Sequence, residues 1–250
     1  MFAHRVSSPR ILSRRRVLAG LTAAAALGPT LLRPTRAFAD GECQVVNDTL
    51  RHCTVGLRVS METVRQRCDN WCWAACIQAV FAFHGHDVEQ EAMVQKIFGD
   101  PNACEPGNDE EIIATINGTW IDNNGNEFSA YGEELPWAAM GISESATQRN
   151  PLDAESMADS AAISLFATND LRTVIDELAN NNPLILARNG IPTGHAMVLT
   201  AVSFYETAQG GLALHEFIVR DPWGQNANRR NLPPQEIRDT AAIFKVTVQG

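Results

Sequence analysis

Apolar positions fall at helical spacing in the first half of the chain and in short continuous runs toward its end. Between Gln66 and Gly85, the residues Trp71, Ala74, Ala75, Val80, Phe81 and Phe83 are dense enough for a largely buried helix, which Gly85 ends. A second helix is predicted over roughly 89–98, with Met93, Val94 and Ile97 on one face. A third begins near Asn108, whose side chain can cap it, and carries Ile112, Ile113 and Ile116. Residues 119–131 then read as a hairpin around Asn123-Asn124-Gly125-Asn126, because Asn-Gly accepts the positive φ of a tight turn. Residues 141–160 are polar and small and read as loop or short helix. Asn169 or Asp170 caps a further helix bearing Leu171, Val174, Ile175 and Leu178.

From there the pattern changes to strands, predicted over 183–187, 195–204, 212–220 and 242–248, with the Gln209-Gly210-Gly211 turn between the second and third. Helices first and strands later, without regular alternation, predict an α+β fold rather than a doubly wound sheet. The expected layout is an N-terminal helical part followed by a C-terminal antiparallel sheet.

The formal charge is −9 over 250 residues. Residues 1–39 hold seven arginines and no acid, and removing those seven positive charges leaves −16. So acidic a body speaks against nucleic acid as a partner. The basic block belongs to an N-terminal segment: Ser13-Arg14-Arg15-Arg16 precedes an apolar stretch over 18–32, and Ala37-Phe38-Ala39 offers a small-x-small cleavage site. This is the order of an export signal over 1–39, with paired arginines resembling the twin-arginine type. The mature chain, 40–250, is expected to be one domain, exported to the periplasm or beyond, with no membrane anchor once the signal is removed.

Export makes disulfides permissible among Cys43, Cys53, Cys68, Cys72, Cys76 and Cys104. Cys43 and Cys53 enclose a short polar loop and form the favoured bridge. Either Cys68 or Cys76 could pair with Cys104, and the spacing leaves that choice open. If one cysteine is a working thiol, five remain and one of them is left over. The four-residue recurrence of Cys68, Cys72 and Cys76 lacks the two-residue gaps of zinc knuckles, so no metal and no cofactor is expected.

Cys72 stands in Asn70-Trp71-Cys72-Trp73-Ala74-Ala75, where the first helix begins. Unpaired N–H groups and the positive end of the helix dipole favour a thiolate there, and the thiolate is the nucleophile. His195 opens a strand in Gly194-His195-Ala196-Met197, and Asp221 closes a later one in Asp221-Pro222-Trp223-Gly224. A Cys–His pair needs a third group to orient the imidazole, and a carboxylate at a strand end can do so.

In these residues the chain resembles the papain-like cysteine peptidases over about residues 60–225. A cysteine before tryptophan lies near the mature N-terminus, with the histidine 123 and the acid 149 residues further on. The Asn-Trp-Cys-Trp-Ala-Ala run is similar to that of bacterial secreted papain-like peptidases. The resemblance implies a papain-like fold, Cys72 as nucleophile, His195 as base, Asp221 as orienting group and Gln66 as the oxyanion-hole amide. It also implies that Trp223 shields the His195–Asp221 bond and that the substrate is a protein or peptide. Asp221 stands where the family commonly has asparagine, so Asp221→Asn is expected to cost less than Asp221→Ala. Only some thirty residues separate Asp40 from Cys72, too few for the long prosegment of plant and lysosomal relatives. The same triad would also suit acyl or amide transfer, including deamidation, and a secreted binding module could keep the fold with a silent site.

Overall fold

A computed structural model describes residues 41–137, 168–189, 194–232 and 234–250 of the chain. The expected export segment over 1–39 and the polar stretch over 141–160 lie outside them. The described chain opens with strands β1 (Glu42–Asn47) and β2 (Leu50–Gly56), followed by helices α1 (Cys72–Phe83), α2 (Gln90–Phe98) and α3 (Asp109–Ile116). Strands β3 (Gly118–Ile121) and β4 (Glu127–Glu134), helix α4 (Thr168–Ala179) and strands β5 (Leu184–Arg188), β6 (His195–Thr207) and β7 (Leu212–Arg220) come next. Strand β8 (Arg229–Asn231), the short helix α5 (Pro234–Arg238) and β9 (Thr240–Gln249) complete it.

Local chemistry accounts for several of these boundaries. Asn108 and Glu111 form a reciprocal capping box at the start of α3. Gly99 ends α2 at φ 74°, a left-handed conformation that glycine adopts without strain. The β3–β4 turn places Gly125 at φ 83°. Helix α4 is already formed at Thr168, so Asn169 and Asp170 lie inside it rather than capping it.

All described strands join one antiparallel sheet, in the order β1-β2-β6-β5-β9-β4-β3, with β7 against β6 and β8 against β7. Strand β6 organises it. Its first residues pair with β5, from His195 opposite Arg188 to Leu199 opposite Leu184. Its later residues pair with β2, from Ala201 opposite Gly56 to Thr207 opposite Leu50. Alternation along the strands sends side chains to two cores. Ile185, Ala196, Val198 and Phe244 pack with Ile77, Val80 and Phe81 of α1. Leu184, Leu186, Met197 and Leu199 pack with Leu171, Val174, Ile175 and Leu178 of α4. The period of two is thus satisfied by helices on both faces.

The α+β class holds, but the expected order of helices before sheet does not. The β1–β2 hairpin precedes every helix and joins the sheet that carries His195. All six residues of β1 are exposed, so they carry no apolar alternation to announce a strand. Cys43 and Cys53 face each other across this hairpin and are bonded.

Candidate active site

Cys72 is the first residue of α1, with Trp71 as N-cap. Along the helix, Trp73, Ile77, Val80 and Phe81 are buried, which fixes the helix and hence the position of the sulfur. Upstream, Cys68 is bonded to Cys104, and Trp71 Nε1 donates to the Ala103 carbonyl at 2.8 Å, so the loop before the helix is tied to the loop before α3. The open choice for Cys104 is therefore Cys68. The left-over cysteine is Cys76, which is free and 1% exposed. Burial, followed by the neighbouring Cys72 and Asp221, pushes its thiol pKa well up.

Antiparallel pairing brings the other two residues together. Strand β6 begins at His195 and β7 ends at Arg220, with Val198 opposite Arg220, so Asp221 emerges beside the start of β6. His195 Nε2 lies 2.8 Å from Asp221 Oδ1. The sulfur of Cys72 accepts from the Ala196 backbone N–H at 3.4 Å, which sets it against the first residues of the same strand. Burial alone would lower the His195 pKa. Hydrogen bonds to Asp221 and to Cys72, together with their charges, outweigh it and raise the pKa to about 9. With Nε2 on Asp221, Nδ1 is the ring nitrogen left for Cys72.

Asp221 is completely buried. Burial opposes its charge, but the hydrogen bond and charge of His195, the Trp223 N–H and Arg230 hold its carboxyl well below the usual carboxylate range. Oδ1 accepts from His195 and from the Trp223 backbone N–H at 2.9 Å. Oδ2 accepts from Asn226 Nδ2 and Arg230 Nε, each at 2.8 Å. Arg230 in turn gives both terminal nitrogens to Glu236 at 2.8 Å, and Glu236 also accepts from Arg188 Nη1 at 2.6 Å. The Trp223 ring stands edge-on to the His195 ring, with centroids 6.3 Å apart.

Gln66 occupies a different position from these three. Its Nε2 donates to the carbonyls of Cys68 at 3.0 Å and Asp69 at 2.7 Å, and its side chain is not among those lining the cleft. Its backbone N–H donates to the Pro222 carbonyl at 3.2 Å. Beside it, Arg65 reaches the carbonyls of Asp221, Trp223 and Asn226 and the side chain of Asn228. The segment before the helix is thereby clamped to the loop after β7.

Cys72 and His195 open onto a cleft of about 1080 Å³ whose walls include Trp73, Gly107, Asn189 and Trp223. Gly107 is required there by a close approach: a Cβ on it would meet the Trp73 ring at 2.8 Å. Sequence reasoning missed Arg230, Glu236, Asn226 and Arg65. A half-buried arginine reads like any surface one in an acidic chain, and only the fold shows that Arg230 faces the carboxylate.

Comparison with known proteins gives one family. The model of a family described as "Peptidase_C39 like family" matches residues 57–245. No curated protein matches the chain. The matched span contains the thiol, the imidazole and the carboxylate, together with the strands that join them.

Proposed function

The chain belongs to this Peptidase_C39-like family, a family of cysteine peptidases, and from that premise we propose that it is an exported papain-like peptidase working through Cys72, His195 and Asp221. The observation that carries the reading is the His195 imidazole, held by Asp221 on one side and facing Cys72 on the other, at the wall of an open cleft.

His195 takes the proton of Cys72, giving a thiolate–imidazolium pair. The sulfur attacks the carbonyl carbon of a peptide bond, and the electron pair of the C=O moves onto oxygen. The Cys72 backbone N–H, in the first turn where a helix leaves donors unpaired, faces that oxyanion. Gln66 is the second donor on its place six residues before the nucleophile. To serve, its amide must turn from the Cys68 and Asp69 carbonyls into the cleft. His195 then protonates the leaving amine, and water deprotonated by His195 resolves the thioester. Export is supported by the two disulfides, which persist in an oxidising compartment. Among the described residues no helix is long and apolar enough to cross a membrane.

The test is the rate at which iodoacetamide alkylates the folded, oxidised protein, with the modified residue mapped by mass. Cys72 is expected to react first, and His195→Ala to slow it roughly a hundredfold. Labelling that prefers Cys76, or Cys72 recovered in a disulfide, would remove the nucleophile.

A further inference from the structure

The four donors on Asp221 divide its two oxygens into two roles. Oδ1 serves His195 and the Trp223 N–H, while Oδ2 serves Arg230 and Asn226. We propose that Arg230, itself held by Glu236, is a positioning residue that makes a carboxylate, rather than an amide, necessary at position 221 and fixes which of its oxygens orients His195. The inference rests on the catalytic reading of Cys72 and His195.

Every partner of the Asp221 side chain donates a proton, so the site has four donors and calls for acceptors on both sides. An amide at this position has one acceptor and one donor. With its oxygen toward His195, its NH2 would confront the Arg230 guanidinium and the Asn226 amide. With its oxygen toward Arg230, its NH2 would confront the His195 N–H and the Trp223 N–H, forcing the imidazole to change tautomer or turn away. The exposed Asn226 can turn its amide to accept, but the Arg230 guanidinium offers only donors, so neither arrangement is satisfied, and Asp221 is completely buried, so water offers no relief. The guanidinium cannot step aside readily. Its terminal nitrogens are on the two carboxylate oxygens of Glu236 at 2.8 Å, and Nη2 also lies 3.3 Å from Met197 Sδ. Glu236 is fixed in turn by Arg188. The chain Arg188–Glu236–Arg230–Asp221–His195 therefore alternates in charge from the cleft wall to the imidazole. On this proposal asparagine is a costlier replacement for Asp221 than the resemblance implies. That expectation considered only the imidazole N–H as a partner.

The experiment compares Asp221→Asn in two backgrounds, wild type and Arg230→Gln. Glutamine at 230 supplies an amide oxygen that can accept from the new NH2. The readout is the rate of Cys72 alkylation by iodoacetamide on proteins shown by circular dichroism to be folded. In the wild-type background Asp221→Asn is expected to slow alkylation by roughly a hundredfold. In the Arg230→Gln background the same change is expected to cost at least about fivefold less. A merely structural arginine would give equal factors in both backgrounds, and that result overturns the proposal. Glu236→Gln, which leaves Asp221 and Arg230 in place, is a second route that does not depend on the arginine variant folding. It is expected to lower the rate severalfold, and an unchanged rate counts against the proposal. His195→Ala is measured beside them. If it reacts as fast as wild type, the catalytic reading falls and the positioning role with it. A rate that depends on His195 but shows no coupling between positions 221 and 230 overturns the positioning role alone.

Discussion

At His195 the imidazole pays for its burial through two partners, and the balance has a measurable sign. Its pKa is raised to about 9 in the folded protein, against about 6.5 for an unperturbed histidine. Its contribution to stability is therefore fully present below about pH 6.5 and is lost as pH rises through about 9. Ring resonances followed by NMR should titrate near 9, and Asp221→Ala should move that midpoint down, because it removes a hydrogen bond and a charge that favour imidazolium. A midpoint that stays in place in the variant would mean that Asp221 does not govern the ring. Four residues beyond Cys72, Cys76 shares a helix face with it yet is buried. In the native state iodoacetamide should modify one thiol, and two after denaturation without reduction. Two native thiols reacting at similar rates would contradict the packing of α1.

At the scale of elements, the site is held by ties that run between loops. The Cys68–Cys104 bond joins the approach to α1 to the approach to α3, and a disulfide of this kind contributes about 2–4 kcal/mol. Cys68→Ser with Cys104→Ser should lower the melting temperature and slow alkylation of Cys72, since the loop before the helix loses its anchor. An unchanged rate would leave the bond a purely stabilising role. Gly107→Ala drives a methyl group toward the Trp73 ring at 2.8 Å and should shift that ring in the cleft wall, visible in tryptophan fluorescence. The helices were legible because their faces are amphipathic or apolar and their ends carry recognisable signals, as at Asn108 and Gly85. The strands after residue 183 were legible as apolar runs. The β1–β2 hairpin was not, since an exposed edge strand such as β1 has no buried side to leave a pattern. Cys72, His195 and Asp221 could be picked out because each sits at an element end in a distinctive local motif. Arg230 could not, because its partner lies nine residues back across a loop and only the pairing of β7 with β8 brings them together.

At the scale of the whole molecule, the proposed export can be tested at the N-terminus. Residues 1–39 carry seven arginines and no acid, and the two disulfides belong to the rest. N-terminal sequencing of exported protein should find a chain starting near Asp40. Lysine at both Arg14 and Arg15 should hold precursor inside the cell. Undiminished export of that variant would assign the general secretory route instead.

If this cleft hydrolyses peptide bonds through Cys72, water supplies an oxygen to every new C-terminus. The direct measurement uses a complex peptide mixture in water enriched in oxygen-18, incubated with the mature chain and read by mass spectrometry of the new termini. New C-termini carrying one heavy oxygen are expected from the wild-type chain and none from Cys72→Ala. Products joined to amines without heavy oxygen, side-chain deamidation without cleavage, or cleavage that persists in Cys72→Ala would contradict peptide hydrolysis through Cys72.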